Sequence, residues 1–248
     1  MNGLFIFVDN VGWPRWFYRY KIQETVNAPV SKAKYIKTVK LVAFNSLVTN
    51  LLFTVVVYPI SKWRGTPFGY ELPSFYRVII DLAVFALCLE VGFYYSHRLL
   101  HHPKLYRYIH KVHHEWTAPV SIVSIYAHPL EHVMSNLIPI YLGPLLMGSH
   151  LFVQWLWLFI AIFNTTHTHS GFHLPFMPSS EAHDYHHSKF TNNFGALGIL
   201  DRLHGTDLDF RRQINSKRHF TLTGMASAKE LIPDPKMQMP KKQVFQFE

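Results

Sequence analysis

The chain has 248 residues, 49% hydrophobic and 16% aromatic against 16% charged, with a formal net charge of +9. Its one cysteine, Cys88, excludes a disulfide framework, and the lack of a basic stripe with interleaved aromatics argues against nucleic acid as partner. Length and composition leave a large globular domain or a small polytopic membrane protein, and the distribution of charge favours the second.

The opening MNGLFIFVDN lacks the basic start and the length of a cleaved signal, so it is expected to be retained. Residues 1–38 read as an interfacial segment, because Trp13, Trp16, Phe17, Tyr18 and Tyr20 mix with basic side chains there. Residues 39–248 then read as a single membrane-embedded domain. Residues 41–60 carry no charge and are long enough to cross a hydrocarbon core of about 30 Å. The turn-rich stretch 61–74, with Gly65, Pro67, Gly69 and Pro73, is a loop on the far side. A second span, 78–96, is interrupted only by Asp81 and Glu90.

Fifteen of the seventeen histidines fall between His97 and His187, thirteen of them in five groups: HRLLH, HKVHH, HPLEH, HTHSGFH and HDYHH. Residues three and four apart share a helix face, so HxxxH and HxxHH are expected to aim their rings at one point. LYRYIHKVHH reads as a helix from the spacing of Leu105, Tyr108, Ile109 and Val112. About ten nitrogen donors exceed the needs of one tetrahedral ion, which implies two metal ions of the Fe, Cu, Zn or Ni kind. Glu90 lies two helical turns before His97, and a carboxylate in a span is expected to support a ligand ring.

Between the histidine groups, residues 133–164 run without Asp, Glu, Lys or Arg and would overshoot the bilayer as one helix. A fold-back is expected at Gly143-Pro144 or at Gly148-Ser149, giving a hairpin. The hairpin also returns His167–His187 to the side of His97–His114, which a shared site requires. The predicted fold is therefore all-α, with about four transmembrane helices capped by a histidine-rich metal site. Residues 188–248 form a polar tail on the capped side. Seven Lys/Arg before residue 41 and ten after His187 place both termini in the cytosol by the positive-inside rule. ExxH pairs, HExxH, GxSxG and a dinucleotide fingerprint are all missing, so reducing equivalents must come from outside the chain.

The order HRLLH, HKVHH, HPLE, HSG, HDYHH, followed by NNFGALGILDRLHGTD, resembles the membrane-bound fatty acid hydroxylase superfamily over residues 75–210. The resemblance implies a non-haem centre of two iron ions at the cytosolic face of the endoplasmic reticulum. It further implies O2-dependent hydroxylation of a membrane lipid, a sterol-like one favoured, with electrons from cytochrome b5 and its reductase. Carried over by motif, the implied ligands are His97, His101, His110, His113, His114, His128, His169, His183, His186 and His187. His132 and His173 are kept with Glu90 as supporting candidates, while His102, His150, His167, His204 and His219 are expected to bind no metal. Arg98, Lys104, Arg107, Lys111, Lys189, Arg202, Arg211 and Arg212 form a basic rim suited to an acidic electron carrier. The alternatives are a catalytically silent lipid- or metal-binding scaffold and a metal transporter.

Overall fold

The computed structural model describes residues 2–11, 14–27 and 30–235; Trp13 and the end of the tail lie outside the described residues. Within them the chain is helical, and the only strand-like pairing is one isolated antiparallel bridge between Lys21 and Phe172. The main helices are α1 (Asn2–Val11), α2 (Lys32–Trp63), α3 (Phe75–Leu100), α4 (129–147), α5 (Leu151–Thr168), α6 (Glu181–Lys189) and α7 (Ile199–His204).

Two of them, α2 and α3, are long and apolar enough to cross a membrane. Their apolar side chains mostly face outward: Leu47, Leu51, Leu52, Val55 and Val56 on α2 are exposed, as are Leu87 and Val91 on α3. So large an apolar exterior is what a bilayer, and not water, would cover. On α3 the Ser74 hydroxyl caps the first turn by accepting from Arg77 N, and Asp81 pairs with Arg77 one turn away at 2.7 Å.

The fold-back between α4 and α5 occurs at Gly148, in the left-handed region at φ 56°, and α5 starts under a His150 cap. Gly143-Pro144, the other expected break, stays helical, and two contacts explain why. Pro144 cannot donate to the carbonyl of Ile140, but the Trp157 indole N–H does so at 3.0 Å. Gly143 sits against α3 so closely that a Cβ there would lie 2.7 Å from Phe85 Cα. The glycine thus serves close packing of α4 on α3.

The far-side loop and the α4–α5 turn meet at one end of the bundle. Arg64 donates to Leu145 O and Leu146 O, His150 to Gly69 O, and Leu151 N to Pro67 O. The histidine groups lie at the other end. There α2 and α4 each carry a π-helical turn, 45–49 and 132–137, of the sort often found at functional sites. The first turns the buried Asn45 inward, where it donates to Ile125 O and Ala127 O and fixes the loop leading into α4.

The segment read as interfacial, 1–38, folds in part against this same end. Phe5 and Val8 of α1 are buried with Tyr20, Phe172 and Leu222, and the buried Lys21 pairs with the buried Asp9. Trp16 remains exposed. LYRYIHKVHH forms a short turn at Pro103–Tyr106 and then a 3-10 turn at His110–Glu115, not the continuous α-helix its spacing suggests.

Candidate metal centre

Nine histidines converge in two adjacent groups. The first holds His97, His101, His110, His114 and His186; the second holds His113, His169, His183 and His187. Each HxxHH box is split between them instead of aiming at one point. His110 and His114, four apart, serve the first group while His113 crosses to the second; His183 and His187 serve the second while His186 crosses to the first. The exchanged middle histidines tie the 110–115 turn to α6.

All the converging atoms that pair are Nε2. In the first group the separations are 3.1 Å (His97–His110), 3.0 Å (His101–His110), 3.1 Å (His110–His114) and 3.2 Å (His114–His186). In the second they are 3.4 Å (His113–His169), 2.8 Å (His169–His183) and 3.2 Å (His183–His187). Imidazoles about 2.1 Å from one ion and about 90° apart would stand about 3.0 Å from each other, so these spacings fit ligation.

The opposite ring nitrogens decide what those Nε2 atoms carry. His97 Nδ1 donates to Phe194 O (2.8 Å), His113 to Tyr126 O (3.0 Å), His169 to Thr165 O (2.8 Å), His186 to Asn192 O (2.6 Å) and His187 to Trp116 O (2.9 Å). His110 Nδ1 donates to the Glu131 carboxylate at 2.8 Å. Carbonyl oxygens only accept, which assigns the proton to Nδ1 in those five rings and leaves Nε2 a bare lone pair. Burial raises Glu131 well above the usual carboxylate range, so His110 takes the same tautomer only when Glu131 is ionised, as a neighbouring cation would favour. Burial keeps the rings uncharged: it lowers His113 to about 4 and, with His113 beside it, lowers His169 to about 3. His113 and His169 thus face each other at 3.4 Å with no proton to share, and His97 and His110, 3.1 Å apart, do the same when Glu131 is ionised. A cation between them resolves the repulsion, and all-imidazole donors suit Fe, Cu, Zn or Ni.

The remaining predicted residues fall elsewhere. His128, the tenth expected ligand, opens α4, where its Nδ1 accepts from Leu130 N as a helix cap, and it lies in neither group. His132 donates Nε2–H to Asn50 Oδ1 and accepts at Nδ1 from Asn136, so both nitrogens are used in bracing α4 to α2. His173 donates to Phe220 O, tying the segment after α5 to the C-terminal region. His102 and His150 are helix caps, His167 donates to Pro178 O, His204 stacks on Tyr94, and His219 packs on Phe210.

Glu90 does not touch His97. Its carboxylate accepts from the backbone N–H groups of Ala196 (2.9 Å), Leu197 (2.6 Å) and Leu200 (2.9 Å). It therefore acts through the loop that carries Phe194, whose carbonyl orients His97. Asp201 secures the same loop by accepting from Phe194 N and Gly195 N.

The carboxylate that does contact a converging ring is Glu131, which the sequence reading passed over although HPLEH contains it. An acid within a histidine box was the available signal; the carbonyls of Phe194, Tyr126, Thr165, Asn192 and Trp116 leave no trace in sequence. A cavity of about 30 Å³ reaches both groups and is lined by Phe93, Ser124, Glu131, Ser135, Asn136 and Thr165. Glu131 Oε2 and the hydroxyls of Ser124 and Ser135 have no hydrogen-bond partner among the described residues.

Fold and site together define two histidine clusters suited to hold metal at one end of an apolar helical bundle. The chain belongs to the fatty acid hydroxylase family, whose pattern residues 82–206 match. It is 48% identical to fatty acid hydroxylase domain-containing protein 2 of Homo sapiens, over 96% of this chain and 72% of that one. It is 33% identical to methylsterol monooxygenase 2-2 of Arabidopsis thaliana (86% and 82% covered) and 37% identical to very-long-chain aldehyde decarbonylase GL1-11 of Oryza sativa subsp. indica (79% and 76%). No solved structure matches.

Proposed function

We propose that the protein is a non-haem di-iron hydroxylase that oxidises a C–H bond of a membrane lipid, with a sterol-like substrate preferred. The observation that carries this reading is the convergence of imidazole Nε2 atoms in two adjacent groups, with His97 and His110 facing at 3.1 Å in one and His113 and His169 at 3.4 Å in the other. Relatives named as a methylsterol monooxygenase and an aldehyde decarbonylase support an oxidative reaction on lipid. Two iron ions bound there would supply O2 activation, one oxygen atom entering the C–H bond and the other leaving as water, with two electrons and two protons taken up from outside.

The chain's own residues account for the rest. The nine converging histidines hold the metals, and the Nδ1 acceptors of six of them, His97, His110, His113, His169, His186 and His187, fix those ring planes. Burial of both groups excludes bulk water from the reacting carbon. The cavity lies toward α3, α4 and α5, so a lipid enters from between apolar helices. α2 to α5 form four membrane crossings of the endoplasmic reticulum, with both termini and the metal centre cytosolic. The basic rim around Arg107 and Lys111 receives cytochrome b5, itself reduced by its reductase. A transporter would line a path through the bilayer with its ligands, whereas these sit at one end of the bundle.

The test is turnover of the full chain in bilayers with reductase, cytochrome b5 and sterol under isotopically labelled O2. The proposal predicts labelled oxygen in a lipid alcohol and dependence on the carrier. Full metal content with unlabelled lipid would contradict it and favour the scaffold.

A further inference from the structure

The segment after the last histidine box was expected to lie wholly in the polar tail, yet its contacts run along a membrane helix. Phe194 O meets His97 near the end of α3. Two and three residues on, Ala196 N and Leu197 N meet Glu90, seven residues or about 10 Å deeper along the helix axis. Leu200 N also meets Glu90, after which α7 climbs back: His204 Nε2 lies 3.1 Å from Tyr95 Oη and Thr206 Oγ1 3.3 Å from Tyr94 Oη. Residues 194–206 thus descend beside α3 and return.

We propose that residues 195–204 are a re-entrant hook that dips into the cytosolic leaflet and contacts lipid. Its outward residues include three large apolar side chains, Leu197 at 52% exposed, Ile199 at 53% and Leu203 at 74%, together with the exposed Arg202 and His204. This face continues the exposed surface of α3 formed by Val91, Tyr95 and Leu99, so the same lipid covers both. Backbone N–H groups at that depth need partners, and lipid supplies none. Glu90 satisfies three of them, and Asp201 two more. A buried carboxylate inside an apolar span, costly by itself, is explained as the cap of the hook's turn. Arg202 is paired with Asp207 at 3.3 Å, at the side where the segment leaves the helix.

The hook rests on the membrane reading of α3 but not on metal or catalysis, and the test uses neither. In the full chain with Cys88→Ser, a single cysteine is placed at Leu197, Leu203, Val91 or Lys217, labelled with an environment-sensitive fluorophore and reconstituted in phosphatidylcholine nanodiscs. Quenching by lipids brominated on the acyl chain is compared with quenching by aqueous iodide. Leu197→Cys and Leu203→Cys are expected to match Val91→Cys, with lipid quenching several-fold above that of Lys217→Cys. These sites are exposed, so the substitutions are compatible with folding. Iodide access at 197 and 203 equal to that at 217, with 91 still quenched by lipid, would overturn the hook alone. Loss of lipid quenching at 91 as well would overturn the membrane reading and the hook with it.

Discussion

Replacing Glu90 by Leu removes three backbone hydrogen bonds, at 2.9, 2.6 and 2.9 Å, from a side chain only 2% exposed. A buried donor left unsatisfied costs about 1–3 kcal/mol, so three of them, partly relieved by movement of the loop, amount to about 3–5 kcal/mol. For a chain of this size that loss corresponds to a drop of about 10 °C in melting temperature. The effect reaches the metal centre because the released loop carries Phe194, the acceptor of His97 Nδ1–H. Loss of such an acceptor typically weakens metal affinity by about 10- to 100-fold. Glu90→Gln keeps one accepting oxygen and should show an intermediate loss. The assay is thermal unfolding in detergent with metal analysis of the same samples. A Glu90→Leu protein that melts within about 2 °C of the parent and retains full metal would refute the reasoning.

Gly143→Ala should destabilise by about 1–3 kcal/mol through its clash with Phe85 and lower the melting temperature while metal stoichiometry stays unchanged. Glu131→Leu should weaken loading of the first histidine group by about 10-fold or more, since it strips His110 Nδ1–H of its acceptor; metal titration that leaves affinity unaltered would contradict this. Metal-free protein should lose stability as pH falls. His113 titrates at about 4 and His169 at about 3 in the fold but near 6.5 when unfolded, so below pH 6.5 the unfolded state binds more protons; melting temperature should fall from pH 6.5 to 4 and not rise. Reporter tags after residue 10, at Gly65 and after Glu248 should read cytosol, lumen and cytosol; a lumenal C-terminus would overturn the four-crossing arrangement.

The membrane character and the histidine groups were legible because both depend on one-dimensional patterns. Uncharged runs such as 41–60 have a length that the bilayer sets, and histidine spacing survives folding. What escaped depends on contacts between distant residues. Pro144 reads as a breaker until Trp157 is seen to satisfy the Ile140 carbonyl. The HxxHH boxes suggest one target each until the 110–115 turn and α6 are brought together and exchange their middle rings. His128 matches a family ligand by motif, but at the start of α4 its ring turns back onto Leu130 N. Glu90 was expected to support a ligand ring, and its partners are instead backbone groups more than a hundred residues away.

The central claim is that two separate histidine groups each hold one metal ion, and metal content measures it directly. Parent protein, His114→Ala from the first group and His183→Ala from the second would be purified in parallel and analysed for metal per chain. Two ions in the parent and about one in each variant are predicted. Two ions retained in both variants, or one in the parent, would contradict the account.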